Sequence, residues 1–194
     1  MKAAQATYDS EYKGKTPEEI RQIALAKSRD KNAKPNTNFM TTTDMMDEKK
    51  LRASKNTAKS YSNCINTITG FFNPTQTVSS NISFTQTPGA YGFEEISEAD
   101  AQPGDVGILH NPDDHPYHAV MLDSKAADGS WNLNYSNGSD KYRLGKNISA
   151  FNAPNQTHKL NKVKYYRYVG NNDGFLDKAT RSVAPALRFL RSMF

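Results

Sequence analysis

The stretch QPGDVGILHNPDDHPYHAVML, residues 102–122, contains two short apolar runs separated by a polar segment. The runs 105–109 and 118–122 each have the length of a β-strand, and the segment between them is rich in Asp, Asn and Pro, which favour turns. The stretch therefore predicts two strands of an antiparallel sheet. Two further strands are expected downstream. The first, at 131–135, follows the turn signal Asp128-Gly129, and the second lies at 162–169.

A segment with helical periodicity precedes these strands. Apolar residues at 65, 68 and 72 are spaced as on one buried face of a helix, and Pro74 ends the pattern. Ser62 or Asn63 can cap the start of this helix, which puts Cys64 in its first turn. The sequence thus predicts an α+β domain over residues 60–170, in which a helix that carries Cys64 packs on a small antiparallel sheet.

Helical extensions are expected at both ends of this domain. Residues 1–15 are polar and are expected to be loose, whereas the capping signature that starts at Thr16 predicts a helix over 17–30, with a second one over 43–60. Because these helices contain few apolar residues, residues 1–59 are interpreted as an arm. Residues 171–194 form a basic amphipathic tail, and arm and tail are both candidate docking segments for a partner.

Composition excludes several classes of protein. The chain has 194 residues and one cysteine, which is too short for a large multidomain enzyme and excludes an intramolecular disulfide or a Cys-rich zinc site. No apolar run approaches the roughly 20 residues that span a bilayer, and no secretory signal is recognised at the start. The net charge of +5 favours anionic partners such as an acidic wall polymer.

The single cysteine leaves two interpretations open, a buried inert thiol and a nucleophile. A helix N-terminus lowers the pKa of a thiol, and a nucleophilic thiol also needs a histidine base and a polar group that orients the base. Among the histidines, His118 begins an apolar strand. His110 and His115 lie in a polar loop where we expect them to be solvated, and His158 also lies in a loop-like segment.

The order of these elements resembles that of the papain-like cell-wall cysteine hydrolases of the CHAP and NlpC type. The resemblance covers about residues 60–170 and rests on Cys64, on the segments 102–108 and 118–122, and on the Gly turn followed by residues 131–138. It implies a papain-like fold and a cysteine amidase or endopeptidase that cleaves amide bonds of peptidoglycan.

The resemblance also implies roles for individual residues. Cys64 would be the nucleophile, His118 the base and Asn137 the group that orients the base. Tyr135 lies where CHAP domains commonly carry a Glu, which leaves Asn137 as the orienting group. Because Cys64 opens a helix, its backbone N–H is one candidate oxyanion donor. For the second donor or a substrate contact the sequence leaves several choices, which are Tyr61, Ser62, Asn63 and Tyr135.

No cofactor is expected, and the implied place of action is the cell wall. Without a signal peptide, the chain would be a phage lysin, a virion component or an exported toxin. Two alternatives stay open: a protease or deamidase of the same fold that acts on proteins, and a catalytically inactive structural module of a virion or secretion assembly. The change from Glu to Tyr135 keeps the inactive module in consideration.

Two further patterns have simple structural interpretations. Residues 110–118 contain three His and two Asp, which are suitable metal ligands, but a polar hairpin tip explains them and we expect no metal site. Basic and aromatic residues alternate over 162–168, which is compatible with a nucleic-acid surface. A terminal strand with one buried and one solvated face explains the pattern, and no nucleic-acid partner is expected.

Overall fold

The computed structural model of the chain describes residues 2–30, 61–78, 80–136, 142–153 and 159–170. The helices in these ranges are α1 (Lys2–Glu11), α2 (Pro17–Ser28), α3 (Tyr61–Gly70) and α4 (Asn81–Gln86). The strands are β1 (Phe93–Ile96), β2 (Val106–His110), β3 (Pro116–Lys125), β4 (Trp131–Ser136), β5 (Tyr142–Asn147) and β6 (Lys162–Tyr168). The helix predicted at 43–60, the tail at 171–194, Asn137 and His158 lie outside the described residues.

All six strands form one antiparallel sheet with the order β1-β6-β2-β3-β4-β5. The predicted pairing of the two runs in residues 102–122 is confirmed, with Ile108 opposite Ala119. β6 lies between β1 and β2, so the strand that comes last among the described residues is an interior strand of the sheet. The α+β class and the antiparallel sheet are therefore confirmed.

Alternate strand residues contribute to two separate apolar clusters, because successive side chains point to opposite faces of a sheet. The helical face packs against α2, α3 and α4, and its strand residues include Val106, Ile108, Ala119, Met121 and Tyr166. The second face carries a different cluster, whose strand residues are Leu109, Tyr117, Val120, Leu122, Trp131, Leu133, Tyr135 and Tyr165. This division decides which side chains can meet Cys64.

Helix α2, which belongs to the N-terminal arm predicted over residues 1–59, packs into the helical-face core. Its N-cap is Thr16, whose side chain forms the predicted capping box with Glu19. Ile20, Ala24 and Leu25 are buried in the same cluster as Cys64. Residues 2–11, which were expected to be loose, form α1. Helix α2 contacts β3 and β6 directly, and Tyr8 of α1 packs against the same cluster.

A buried carboxylate connects α2 to two strands. Asp105, which is fully buried, accepts hydrogen bonds from Arg21 Nη1 at 3.2 Å and from Arg167 Nη2 at 2.7 Å. Its other polar partner is the backbone N–H of Gln102, at 2.8 Å. Arg21 is itself only 6% exposed. Gly104 and Asp105 contribute to the family resemblance. In this structure they have a structural role, because they hold α2, the start of β2 and β6 together.

Gly104→Ala is expected to destabilise the fold by about 2 kcal/mol or more, since a left-handed backbone costs a side-chain-bearing residue roughly 1–2 kcal/mol and a steric contact is added. Gly104 has a φ of +89°, and a Cβ there would lie 2.9 Å from Cγ of Arg21. Gly129, with a φ of +80° and no atom within 4 Å of its Cβ position, is the matched control. Urea unfolding should show a larger loss for Gly104→Ala than for Gly129→Ala. Equal losses would mean that the contact between the new Cβ at position 104 and the Arg21 side chain does not lower the free energy of unfolding.

Candidate active site

Helix α3 holds Cys64 against the middle of the sheet. Ile65, Ile68 and Phe72 are completely buried, as their helical spacing predicts. Cys64 lies in the first turn of the helix and is 1% exposed. The helix packs mainly on β3, so the predicted arrangement of a cysteine-bearing helix on the sheet is present in the structure.

Polar groups from two other elements face the sulfur of Cys64. Asn81, the first residue of α4, places its side-chain Nδ2 3.7 Å and its Oδ1 3.8 Å from Sγ. Burial is the largest effect on the thiol and raises its pKa above the ordinary value, while the backbone N–H of Ala119 and the side chain of Asn81 act in the opposite direction. The thiol is thus protonated at neutral pH in this conformation. It donates to Oδ1 of Asn81, while Nδ2 of Asn81 and the backbone N–H of Ala119 face the sulfur as donors.

His118 lies on the opposite face of the sheet from Cys64. It pairs across the strands with Leu109, and its ring packs against Tyr135 at 5.1 Å and Phe151 at 5.5 Å between centroids. These three neighbours belong to the second-face cluster, whereas Cys64 and the adjacent Ala119 belong to the helical-face cluster. The structure therefore does not bring the expected base to the expected nucleophile.

The surroundings of His118 are apolar. Burial lowers its pKa from 6.5 to about 4, because the low-dielectric environment disfavours the charged imidazolium. Its Nε2 atom is buried and has no hydrogen-bond partner among the described residues. Tyr135, the residue in place of the family's Glu, contacts the His118 ring edge-on, so these two predicted site residues are neighbours. The contact is one of packing between rings.

The remaining predicted site residues are not placed in detail. Asn137 lies outside the described residues. Tyr61 and Asn63 belong to the first turn of α3, as does Ser62, and the structure describes their backbone alone. The choice among them as oxyanion donors accordingly stays a prediction.

His110 was expected to be solvated, and the structure shows it buried at 4% exposure. It is the last residue of β2 and follows Val106 and Ile108 in the alternation that points to the helical face. Its Nδ1 lies 2.8 Å from Oδ1 of Asp114, and Lys162 Nζ lies 2.8 Å from the same oxygen. The hydrogen bond from Lys162 is the largest effect that lowers the pKa of Asp114.

Two residues of this region, Asn81 and His110, are not identified by the sequence analysis. Asn81 follows Ser80, the N-cap of α4, and the Ser80–Ser83 spacing is a weak helix-start signal inside a segment with no clear period. Nothing in the sequence indicates that the amide faces Cys64. For His110 the sequence does contain a signal. It continues the alternation of Val106 and Ile108, which indicates that the strand includes His110 and that its side chain is on the same face.

No cation site is formed by the part of the chain that the structure describes. Groups of three or more His, Cys, Asp or Glu side chains with ligand geometry are absent from it. The segment 110–118 is a hairpin connection, in which Asn111 Oδ1 accepts hydrogen bonds from the N–H groups of Asp113 and His115. None of the described helices has the length and apolar character needed to cross a membrane.

Comparisons of the chain with protein-family models, with curated proteins and with solved structures found no match.

Proposed function

We propose that the chain is a cysteine hydrolase that cleaves amide bonds of peptidoglycan, with Cys64 as the nucleophile. The observation that carries the proposal is the convergence of N–H donors on one sulfur. The Asn81 side chain and the Ala119 backbone N–H both face Sγ, from α4 and from β3. A thiol is a weak acceptor, so these donors gain most when negative charge develops there.

The same donors suit the charge that develops in thiol acyl transfer. When Cys64 attacks a carbonyl carbon, the carbonyl oxygen becomes an oxyanion that is bonded to the same carbon as the sulfur, two bonds away from it. Donors that are already oriented stabilise such an oxyanion without reorganisation, and removal of one donor from such a site typically costs about 10²–10³ in rate. The substrate class follows from the family resemblance and is compatible with the net charge of +5, since wall polymers are acidic.

A second function, an inactive module of the same fold that serves in a larger assembly, is favoured by two specific observations. Cys64 is 1% exposed with a raised pKa, and the expected base His118 lies on the other face of the sheet. A thiol in that state reacts slowly, because the thiolate is the nucleophile and reagents must reach it.

The experiment that separates the two functions is the digestion of purified peptidoglycan sacculi by the full chain, followed by chromatography of the soluble fragments. We expect fragments with new amide-cleavage ends from the wild-type protein and no release by Cys64→Ala. Alanine fits the buried site, and the circular dichroism spectrum of the variant should match that of the wild type. Equal release by both proteins would contradict the role of Cys64, and no release by either would favour the inactive module.

A further inference from the structure

The structure contains a second histidine whose surroundings differ from those of His118. His110 is buried at the end of β2, and one of its ring nitrogens faces a carboxylate. Because a carboxylate accepts hydrogen bonds, the Nδ1–H group of His110 donates to Oδ1 of Asp114. The other ring nitrogen, Nε2, then carries the lone pair that can accept a proton.

The Nε2 atom of His110 is buried and has no hydrogen-bond partner among the described residues. A buried polar atom without a partner costs free energy, so its retention calls for an explanation. Asp114 holds the ring in one orientation although its own backbone is strained, with a φ of +61° at a non-glycine residue. An imidazole oriented through Nδ1 by a carboxylate, with Nε2 not engaged in a hydrogen bond, is the arrangement of a catalytic base.

Alternation along β2 puts His110 on the face of Val106 and Ile108, which is the face that Cys64 packs on. The pairing of β2 with β6 stays regular up to His110, opposite Lys162, whereas the register with β3 shifts between Leu109 and His110. Ile108 is opposite Ala119, whose N–H faces the Cys64 sulfur, and His110 is two residues further along β2. Two residues of a strand span about 7 Å, so His110 is one step of the helical face away from the position opposite Ala119. The imidazole does not hydrogen-bond to the thiol in this structure, and catalytic hydrogen bonds often tighten only when substrate binds.

We propose that His110 is the catalytic base that serves Cys64, with Asp114 as the residue that positions it. This inference rests on the proposed function. The Cys64 thiol gives its proton to Nε2 of His110 while the sulfur forms a bond to the substrate carbonyl carbon, and the carbonyl π electrons move to oxygen. The C=O bond then re-forms, the C–N bond breaks, and the leaving nitrogen takes the proton from Nε2.

Water completes the cycle. It gives a proton to Nε2 as its oxygen attacks the thioester carbon, the S–C bond breaks, and the departing sulfur takes that proton back. Lys162, which binds the same carboxylate oxygen as His110, keeps Asp114 ionised through both halves of the reaction. His118 takes no part, since it faces the second-face cluster.

The test compares His110→Ala with His118→Phe and with His115→Ala, an exposed histidine of the same connection, in the sacculus digestion. General acid–base catalysis is worth about 10²–10⁴-fold, so His110→Ala is expected to lose at least 10²-fold in rate. We expect His115→Ala to keep the wild-type rate and His118→Phe to stay within a few-fold of it. Imidazole added to His110→Ala should restore part of the rate, which a purely structural role would not allow.

Asp114 is tested by its effect on turnover. Asp114→Asn should lower kcat with little change in KM, and Asp114→Glu should recover part of the loss. A His110→Ala variant that keeps the wild-type rate, or a loss confined to His118→Phe, would overturn the assignment.

A readout independent of peptidoglycan separates this proposal from the proposed function. Alkylation of Cys64 by iodoacetamide at pH 7 is expected to be at least several-fold slower in His110→Ala than in the wild type, and unchanged in His115→Ala. If the wild-type chain releases no fragments, the proposed function fails, and the alkylation rates still decide whether His110 acts on the thiol. Equal alkylation rates in wild type and His110→Ala would overturn the pairing.

Discussion

Replacing Asp105 with alanine is expected to lower the free energy of unfolding by about 3–5 kcal/mol, the usual result of removing one partner from a buried ion pair. The carboxylate is fully buried and is bound by Arg21 and Arg167. Its loss leaves the guanidinium of Arg21, whose side chain is 7% exposed, without its buried counter-charge. It also leaves the backbone N–H of Gln102 without its acceptor.

The matched control for this prediction is Glu18→Ala. Glu18 is bound to the same arginine from the helix surface, and its side chain is 58% exposed. Exposed ion pairs contribute about 0–1 kcal/mol, so we expect a loss in that range. Urea unfolding followed by circular dichroism measures both variants. Losses of similar size would show that burial of Asp105 does not determine the energy of this cluster.

Acidification is expected to destabilise the protein through His118, and His118→Phe is expected to remove that part of the pH dependence. The folded state holds the pKa of His118 at about 4, against 6.5 in the absence of burial. Below pH 6.5 the unfolded chain therefore binds a proton that the folded chain does not, and the free energy of unfolding falls as the pH falls toward 4. The full difference is worth about 3 kcal/mol.

This prediction is measured by urea unfolding of wild type and His118→Phe at pH 7.5 and pH 4.5. The wild type should lose about 2–3 kcal/mol more than the variant over this interval. Carboxylates with lowered pKa values, such as Asp123, also weaken on acidification, but they are common to both proteins. An equal loss in wild type and His118→Phe would show that His118 is not held neutral in the folded state.

Strand and helix positions were predictable where buried residues are periodic. The four predicted strands lie within about two residues of the observed ones at most ends, and the helix that starts after Thr16 is present, as its capping box indicates. Four elements without such a signal have no counterpart among the sequence predictions. One of them is the short helix α4, which lies in a polar segment with no clear period. β5 is an edge strand with mostly polar and charged residues, β1 buries Phe93 alone, and α1 has alanines and one tyrosine but no large aliphatic residue.

The candidate site was less predictable, because the sequence determines which residues share a face and leaves open which face a helix covers. Alternation groups His118 with Val120 and Leu122, and groups Ala119 with Met121. Helix α3 docks on the second group, where the small side chain of Ala119 permits close approach. Cys64 and His118 are consequently separated by the thickness of the sheet, and the long-range contact that decides this has no local signal.

The position of β6 also has a consequence for how the protein folds. Among the described strands, β6 is the one that joins β1 to the sheet, and it also gives β2 its second neighbour. Phe93 and its partner Tyr168 are 75 positions apart in the sequence, so this pairing has a high contact order, which slows folding. During synthesis, α1, α2 and the hairpin of β2 and β3 emerge before the strand that completes the core. The nascent chain must therefore carry an open edge of β2 until Tyr168 has left the ribosome, and during that interval the edge is a site for association with other chains.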